Sequence, residues 1–591
     1  MGVTLPGVDA VVIGVGWTGS ILARELTKAG LKVVGLERGP RRTPGEDFTI
    51  PTIRDDLKYA VRQELFQDTQ METVTLRHAG AETALPIRRL GAFLPGTGVG
   101  GAGAHWNGMT WRLLPSDHNL CTHLTQRYGA RAIPDEMSIA DYPVSYAELE
   151  PYYDRFEKIC GVSGKAGNLR GTIIDGGNVF EGPRSDEYPN PPLEQSVAGA
   201  TFQAAASGLG YHPFPAPSSN ASRVYTNPEG LTMGACVYCG HCERFGCETN
   251  AKASPGVSIL PTLMADPKFE LRTNAYVKDL VYDKVAHKVK SVRYVDTRSG
   301  EEYEQPAGLV VLGAYVFTNN LLLLYSGIGE PYDPATGKGV VGKNYCYQTG
   351  AAAVTVFFED KEINPFMASG AQGVLIDDFN GDNFDHAGLG FFGGAWIQAG
   401  PTNGRPILTR PVPAGTPRWG RGWKQATAKW YNHAFSIVGS CCNYAHRDNY
   451  LDLDPTYRDA LGRPLIRMTY NFKENDYKVA EYVTAVLGRI GRAMNPTLIN
   501  TPPYRRGNFS IIPYQSTHNT GGTIMGADPN SSVVNRYLQS WDADNLFVVG
   551  ASVFPQNQSY NPTGAVGALA YWAANAITSQ YLKNPGPLVP A

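Results

Sequence analysis

The sequence predicts an α/β protein, α+β overall, in which a Rossmann-like domain is joined to a substrate domain of mixed or antiparallel sheet. Three observations predict this. The short β-branched run Val8-Asp-Ala-Val-Val-Ile13 enters the turn Gly14-Val-Gly16-Trp-Thr-Gly19 and then a helical stretch from Ser20 to Ala29, the order of a βαβ unit. A second apolar strand, Lys32 to Leu36, ends at Glu37, eighteen positions past the last glycine. From about 350 to 505 the character changes to alternating strands near 350–358 and 434–443 with interleaved glycine and aromatic residues, as in an antiparallel sheet. At 591 residues the chain exceeds one ordinary core of roughly 250–300 residues.

The first unit carries specific chemistry. Gly14 makes the tight turn, Gly16 lets backbone amides approach a pyrophosphate, and Gly19 lets helix and strand pack closely. The helix N-terminus attracts phosphate charge. Glu37 is placed to accept hydrogen bonds from adenosine ribose hydroxyls, which fits NAD or FAD better than NADP. The stretch Gly91-Ala-Phe-Leu-Pro-Gly96-Thr-Gly98-Val-Gly100-Gly101-Ala-Gly103-Ala-His105-Trp106-Asn107-Gly108 is too glycine-dense for a second phosphate turn. It reads as backbone laid flat against a large planar ligand, where side chains would clash. His105 within it is either a hydrogen-bonded core histidine or a group facing that ligand.

Composition narrows the function classes. Lys and Arg number 52 against 54 Asp and Glu, so no electrostatic argument favours nucleic acid or an acidic membrane surface. No stretch reaches the roughly 18–20 apolar residues of a membrane span; the longest candidate, Leu309 to Leu324, is broken by Gly313, Thr318, Asn319 and Asn320. Met1 to Pro6 has no basic cluster, so no signal peptide is expected, and taken alone the chain reads as cytoplasmic.

Further along, Ser145 and Glu148 read as the N-cap and third helical position of a capping box. Four of nine cysteines then fall within Cys236-Val-Tyr-Cys239-Gly-His-Cys242-Glu-Arg-Phe-Gly-Cys247. Such short spacings cannot all pair as relaxed disulfides. They suit four free thiols, a zinc knot or, favoured by one loop wrapping one face of a cluster, an iron–sulfur centre. Phe269 to Val277 and Lys290 to Val295 alternate like two strands of a hairpin, Leu309-Val-Val-Leu312 returns to the nucleotide sheet, and Asp476 to Arg492 has the periodicity of an amphipathic helix. Trp396, Trp419, Trp423 and Trp430 with their neighbouring glycines fit one wall of a sugar-sized pocket.

The glycine stretch ending at Asn107, Leu321 to Gly329, Val341-Gly-Lys-Asn344, Ser516-Thr-His518-Asn-Thr-Gly-Gly and Gly550-Ala-Ser-Val-Phe-Pro-Gln-Asn-Gln-Ser-Tyr-Asn561-Pro-Thr-Gly564 together resemble the glucose–methanol–choline (GMC) oxidoreductases over essentially the whole chain. The resemblance implies FAD as cofactor. Gly14, Gly16, Gly19, Glu37, Gly100, Gly101, His105, Asn107, Val277, Gly550, Ala551 and Thr563 are its expected binding residues. Val277 would touch the adenine, and Thr563 begins a helix supporting the flavin pyrimidine ring. Ala-His105-Trp resembles the motif of pyranose-oxidising members, which implies a covalent histidyl–FAD bond. His518 is the expected catalytic base facing flavin N5, with Asn561 positioning the substrate oxygen. The implied domains are 1–45, 86–120, 226–350 and 510–591 for FAD, and 46–85, 121–225 and 351–509 for substrate and cover.

A subgroup of the family carries a three-iron cluster at the place of the cysteine loop. Its ligands here would be Cys236, Cys239 and Cys242, with Cys247 as a spare thiol or the fourth ligand of a 4Fe–4S cluster. The subgroup with the nearest resemblance oxidises a secondary alcohol of a sugar acid, D-gluconate to 2-keto-D-gluconate. Other sugars, polyols, glycosides and 2-ketogluconate are the alternative substrates. It implies a small subunit bearing a twin-arginine (Tat) signal and a multihaem cytochrome c subunit. It also implies a place at the periplasmic face of the bacterial inner membrane, with membrane association only through those partners and electrons passing to quinone.

Overall fold

The computed structural model describes residues 2–47, 73–87, 93–365, 367–400, 411–511 and 516–590. Parts of the expected 46–85 cover segment and the first two residues of the Gly91–Gly96 stretch lie outside the described residues.

Val8–Ile13 is buried from Ala10 onward, which is why a β-branched run without polar alternation forms a central strand. It pairs in parallel with Val33–Leu36 on one side and Glu302–Leu312 on the other. Phe269–Arg272 extends the sheet beyond Val33–Leu36, and Leu546–Val548 lies against residues 310–312, both in parallel. The long strand Glu302–Leu312 belongs to two arrangements. Its second half sits in the parallel sheet, and its first half carries the antiparallel hairpin formed by Ala275–Asp283 and Lys288–Asp296. The expected single strand from Phe269 to Val277 is therefore two. It breaks at Asn274, whose φ of +56° is a left-handed conformation that Asn tolerates better than most side chains, and its halves join different neighbours.

A second, antiparallel sheet orders Leu498–Asn500, Val354–Phe357, Ala434–Cys441, Ala395–Ala399, Val374–Ile376 and Phe214–Pro215. The helix Glu474–Ala493 buries Val479, Val483, Leu487 and Ile490 in one apolar cluster with Val354, Ile397 and Ile437 of this sheet, as its helical periodicity requires. A smaller sheet joins Tyr450–Arg458, Pro464–Thr469, Val74–Arg77 and Leu85–Ile87. The capping box forms as expected: Ser145 Oγ accepts from the Glu148 amide at 3.3 Å and the Glu148 carboxylate accepts from the Ser145 amide at 3.0 Å, starting the helix Tyr146–Cys160. The last long helix runs Thr563–Ala576 and packs on Tyr146–Cys160. Among the described residues no helix is long and apolar enough to cross a membrane.

Candidate active site

The carboxyl ends of four parallel strands open onto a cavity of about 570 Å³, closed on the far side by Trp396, Val438 and Ser440 of the antiparallel sheet. Ligands of open α/β sheets bind at such ends. Gly14, Gly16, Glu37, Gly101, His105, Asn107, Val277, Gly550, Ala551 and Thr563 line it, as do His518 and Asn561. Two expected residues stand behind the wall instead. A Cβ on Gly19 would lie 1.9 Å from the Gly14 carbonyl oxygen, so Gly19 lets the helix press onto the turn. Gly100 donates its amide to the Val15 carbonyl at 2.8 Å, tying the glycine loop to the first turn.

At the nucleotide end, Gly14 has φ +86° and a Cβ there would meet the Gly313 carbonyl at 2.6 Å. The helix Trp17–Lys28 has Gly16 as N-cap, no side-chain cap and no acidic residue in its first turn. Its N-terminus thus offers backbone donors and a positive dipole end to a phosphate. Glu37 is buried; it accepts from the Val15 amide at 3.1 Å and the Gly39 amide at 3.0 Å. Burial raises its pKa and those amides oppose the rise. A dinucleotide fits this end: the backbone comes close, and the carboxylate borders the cavity beside the turn.

At the opposite end, the Trp111 indole donates to Asn561 Oδ1 at 3.1 Å, and Asn561 Nδ2 lies 3.2 Å from His518 Nε2. His518 Nδ1 is hydrogen-bonded to Gln348 Oε1. Trp111 stacks on Tyr560 with ring centroids 4.4 Å apart, and the Tyr560 hydroxyl donates to buried Asp377. Burial alone lowers the His518 pKa to about 4, so the imidazole is neutral at physiological pH, as a proton acceptor must be. His105 is also buried at the cavity wall, and burial followed by the nearby Lys252 charge lowers its pKa to about 3.

The cysteine loop abuts this wall from outside. Glu243 and Arg244 of the loop line the cavity, and the Arg244 amide donates to the His105 carbonyl at 2.7 Å. Lys252, fully buried, donates through Nζ to the carbonyls of Cys242 at 2.7 Å and Phe245 at 2.5 Å, and to that of Trp106. Burial pushes the Cys242 thiol up to about 12, with Lys252 pulling it down and the charges of Cys236, Cys247 and Cys239 adding to the rise. The four sulfurs thus share one neighbourhood. They do not converge on one point: among the described residues no three His, Cys, Asp or Glu side chains come together to hold a metal ion. The nearest polar partner of Cys242 Sγ is Asn220 Oδ1 at 3.6 Å, and Cys247 Sγ meets Thr249 Oγ1 at 3.3 Å. The expected ligand shell is not formed by these side chains as they stand.

Against known proteins, a GMC oxidoreductase family profile matches residues 445–570. The chain is 48% identical to the gluconate 2-dehydrogenase flavoprotein of Pantoea cypripedii, over 99% of this chain and 96% of that protein. The chain belongs to the GMC oxidoreductase family. It is also 27% identical to the fructose dehydrogenase large subunit of Gluconobacter japonicus, over 96% of this chain and 97% of that protein. Its fold matches a formate oxidase variant of Aspergillus oryzae RIB40 with a TM-score of 0.61 at 14% identity, over 98% and 99% of the two chains. Pyridoxine 4-oxidase of Mesorbium loti matches with a TM-score of 0.58 at 16% identity, over 97% and 99%.

As a GMC oxidoreductase the protein is an FAD-dependent enzyme acting on CH–OH donors. The sequence alone missed the residues of this enzyme that act at a distance. Gln348, Trp111 and Lys252 belong to no motif that spacing could flag. Each reaches the site through contacts 146 to 450 residues apart in the chain, and only the fold brings them there.

Proposed function

We propose that this enzyme oxidises the secondary alcohol of a sugar acid, D-gluconate to 2-keto-D-gluconate. The observation that carries the reaction type is the neutral His518 imidazole, with Asn561 3.2 Å from its Nε2, inside the cavity. The substrate class follows the 48%-identical relative named a gluconate 2-dehydrogenase flavoprotein. His518 takes the hydroxyl proton, and Asn561 donates to the same oxygen as charge develops on it. FAD, bound between the Gly14–Gly19 turn and the Thr563 helix, supplies the hydride acceptor. The aromatic side offers Trp396 to the C–H face of a sugar-like chain. His105 would hold the FAD covalently in this reading; it lines the cavity, and its buried imidazole is neutral at physiological pH.

The cysteine loop, in the same reading, holds an iron–sulfur cluster, 3Fe–4S in preference to 4Fe–4S, through Cys236, Cys239 and Cys242 with Cys247 as spare or fourth ligand. What supports this is the donor chemistry: four thiols within twelve positions of one loop, beside the buried ammonium of Lys252. When bound, the cluster supplies a one-electron exit from the site. A relative named a large subunit supports work in an assembly. The partners proposed are a small subunit with a Tat signal and a multihaem cytochrome c subunit at the periplasmic face. Dye-linked turnover on gluconate, 2-ketogluconate, fructose and simple polyols, with dye or oxygen as the sole acceptor, tests the reading. Gluconate with dye should be fastest and oxygen should support almost no turnover. A neutral sugar as best substrate would replace the substrate assignment, and rapid oxygen-linked turnover would remove the need for a relay.

A further inference from the structure

We propose that Gln348 is a positioning residue that fixes His518 in the tautomer carrying its proton on Nδ1, leaving the Nε2 lone pair facing Asn561 as the proton acceptor. The proposal rests on the reading of His518 as base. A neutral imidazole has two tautomers, and only the one with a bare nitrogen toward the substrate alcohol can accept its proton.

The amide of Gln348 has one workable orientation. Its side chain is fully buried. Its Nε2 faces three backbone carbonyls: Gln558 at 3.2 Å, Tyr560 at 3.4 Å and, closest, Ser559. Rotating the amide by half a turn would set its oxygen against three acceptors with no hydrogen between them, a buried arrangement that polar groups avoid. Oε1 must therefore face His518 Nδ1, and an acceptor there requires that Nδ1 carry the hydrogen. The main chain holds the same register. The Gln348 amide donates to the His518 carbonyl at 3.2 Å, and the Gln348 carbonyl accepts from Ser516 Oγ at 2.9 Å. A second, independent anchor agrees. Because Trp111 donates to Asn561 Oδ1, the Asn561 amide nitrogen is what faces Nε2, so Nε2 accepts. Two amides, each locked by groups other than the histidine, select one tautomer. The side chains facing the ring from both sides are neutral, and no charged group contributes to the shift of His518.

The flavin-loaded enzyme labelled with 15N-histidine tests this directly, with the His518 signals assigned by their loss in His518→Ala. A protonated Nδ1 and a bare Nε2 are expected at neutral pH; the reverse overturns the proposal. Gln348→Met keeps the length and removes both amide functions, so kcat should fall roughly 10- to 100-fold, within the range general-base catalysis supplies, while KM changes little. Gln348→Glu, buried against the same three carbonyls, carries its proton toward them and keeps an acceptor oxygen at Nδ1–H, so it should retain far more of kcat than Gln348→Met. A merely structural role would lower activity alike in both variants, and equal losses or a normal kcat in Gln348→Met overturns the proposal. If His518→Ala itself turns over normally, the base reading falls. If His518→Ala is inactive while Gln348→Met is normal, only the role of Gln348 falls.

Discussion

The catalytic wall and the cysteine loop border the same cavity, yet they are built on opposite principles. At the wall both ring nitrogens of His518 meet amide groups that are themselves held by an indole or by backbone carbonyls. The groups that touch the imidazole are neutral, and function depends on which way each of them points. In the loop burial keeps the Cys242 thiol protonated up to about 12, its sulfur lies 3.6 Å from Asn220 Oδ1, and the buried ammonium of Lys252 is directed at carbonyls. A protein can perfect orientation with hydrogen bonds alone. It cannot hold several buried thiolates without a cation of comparable charge, so thiol ionisation and metal loading have to occur together.

The largest test of that contrast is His518→Ala, which should lower kcat about 1,000-fold while the flavin absorbance of the purified protein is kept; near-normal turnover would dissolve the wall's role. Asn561→Ala should cost about 100-fold in kcat, the scale of one lost donor to a developing oxyanion. Cys242→Ser attacks the other region. Substrate-driven bleaching of the flavin, followed by stopped flow, should stay near normal, while iron content and electron delivery to a cytochrome acceptor are lost. Equal slowing of flavin reduction would mean the two regions are not separate. The pH response sharpens the neutrality of the wall. His518 is uncharged above a pKa of about 4, so kcat/KM should be insensitive to this group near neutrality and fall as pH drops through about 4, where the imidazole gains a proton. The smallest effect is expected from His105→Ala, with turnover reduced only a few-fold because general-base and hydride chemistry lie elsewhere. Its FAD should pass into the supernatant on acid precipitation, whereas the unaltered protein should keep its colour in the pellet.

How far the chain could be read before its fold was known follows from the range of each interaction. The Gly14–Gly19 turn, Glu37 and the Ser145 cap are local, with partners within about one element, and their positions match. The alternation from Phe269 reads as one continuous strand because it does not reveal a change of partner; the break falls at the left-handed Asn274. Gly19 packs the helix onto the turn, as its place in the motif implies, whereas Gly100 ties the glycine loop to the first turn behind the cavity wall. Gln348 meets His518 across 170 residues and Trp111 meets Asn561 across 450. No periodicity or spacing encodes such pairs. The cysteine spacing does not encode how the four sulfurs are arranged, because that depends on how the loop folds against Lys252 and its neighbours.

Lys252 carries one more consequence. Its ammonium satisfies the carbonyls of Trp106, Cys242 and Phe245 from a single point. Its loss would strand the Trp106 and Phe245 carbonyls in the interior, where each costs roughly 1–3 kcal/mol, while the Cys242 carbonyl would keep the Phe245 amide at 3.2 Å. With the Arg244 amide on the His105 carbonyl, Lys252 fastens the loop to the segment bearing His105. Damage to either, whether by proteolytic nicking or by oxidation of a thiol, would loosen the other, so the protein should mature and fail at these two places as one.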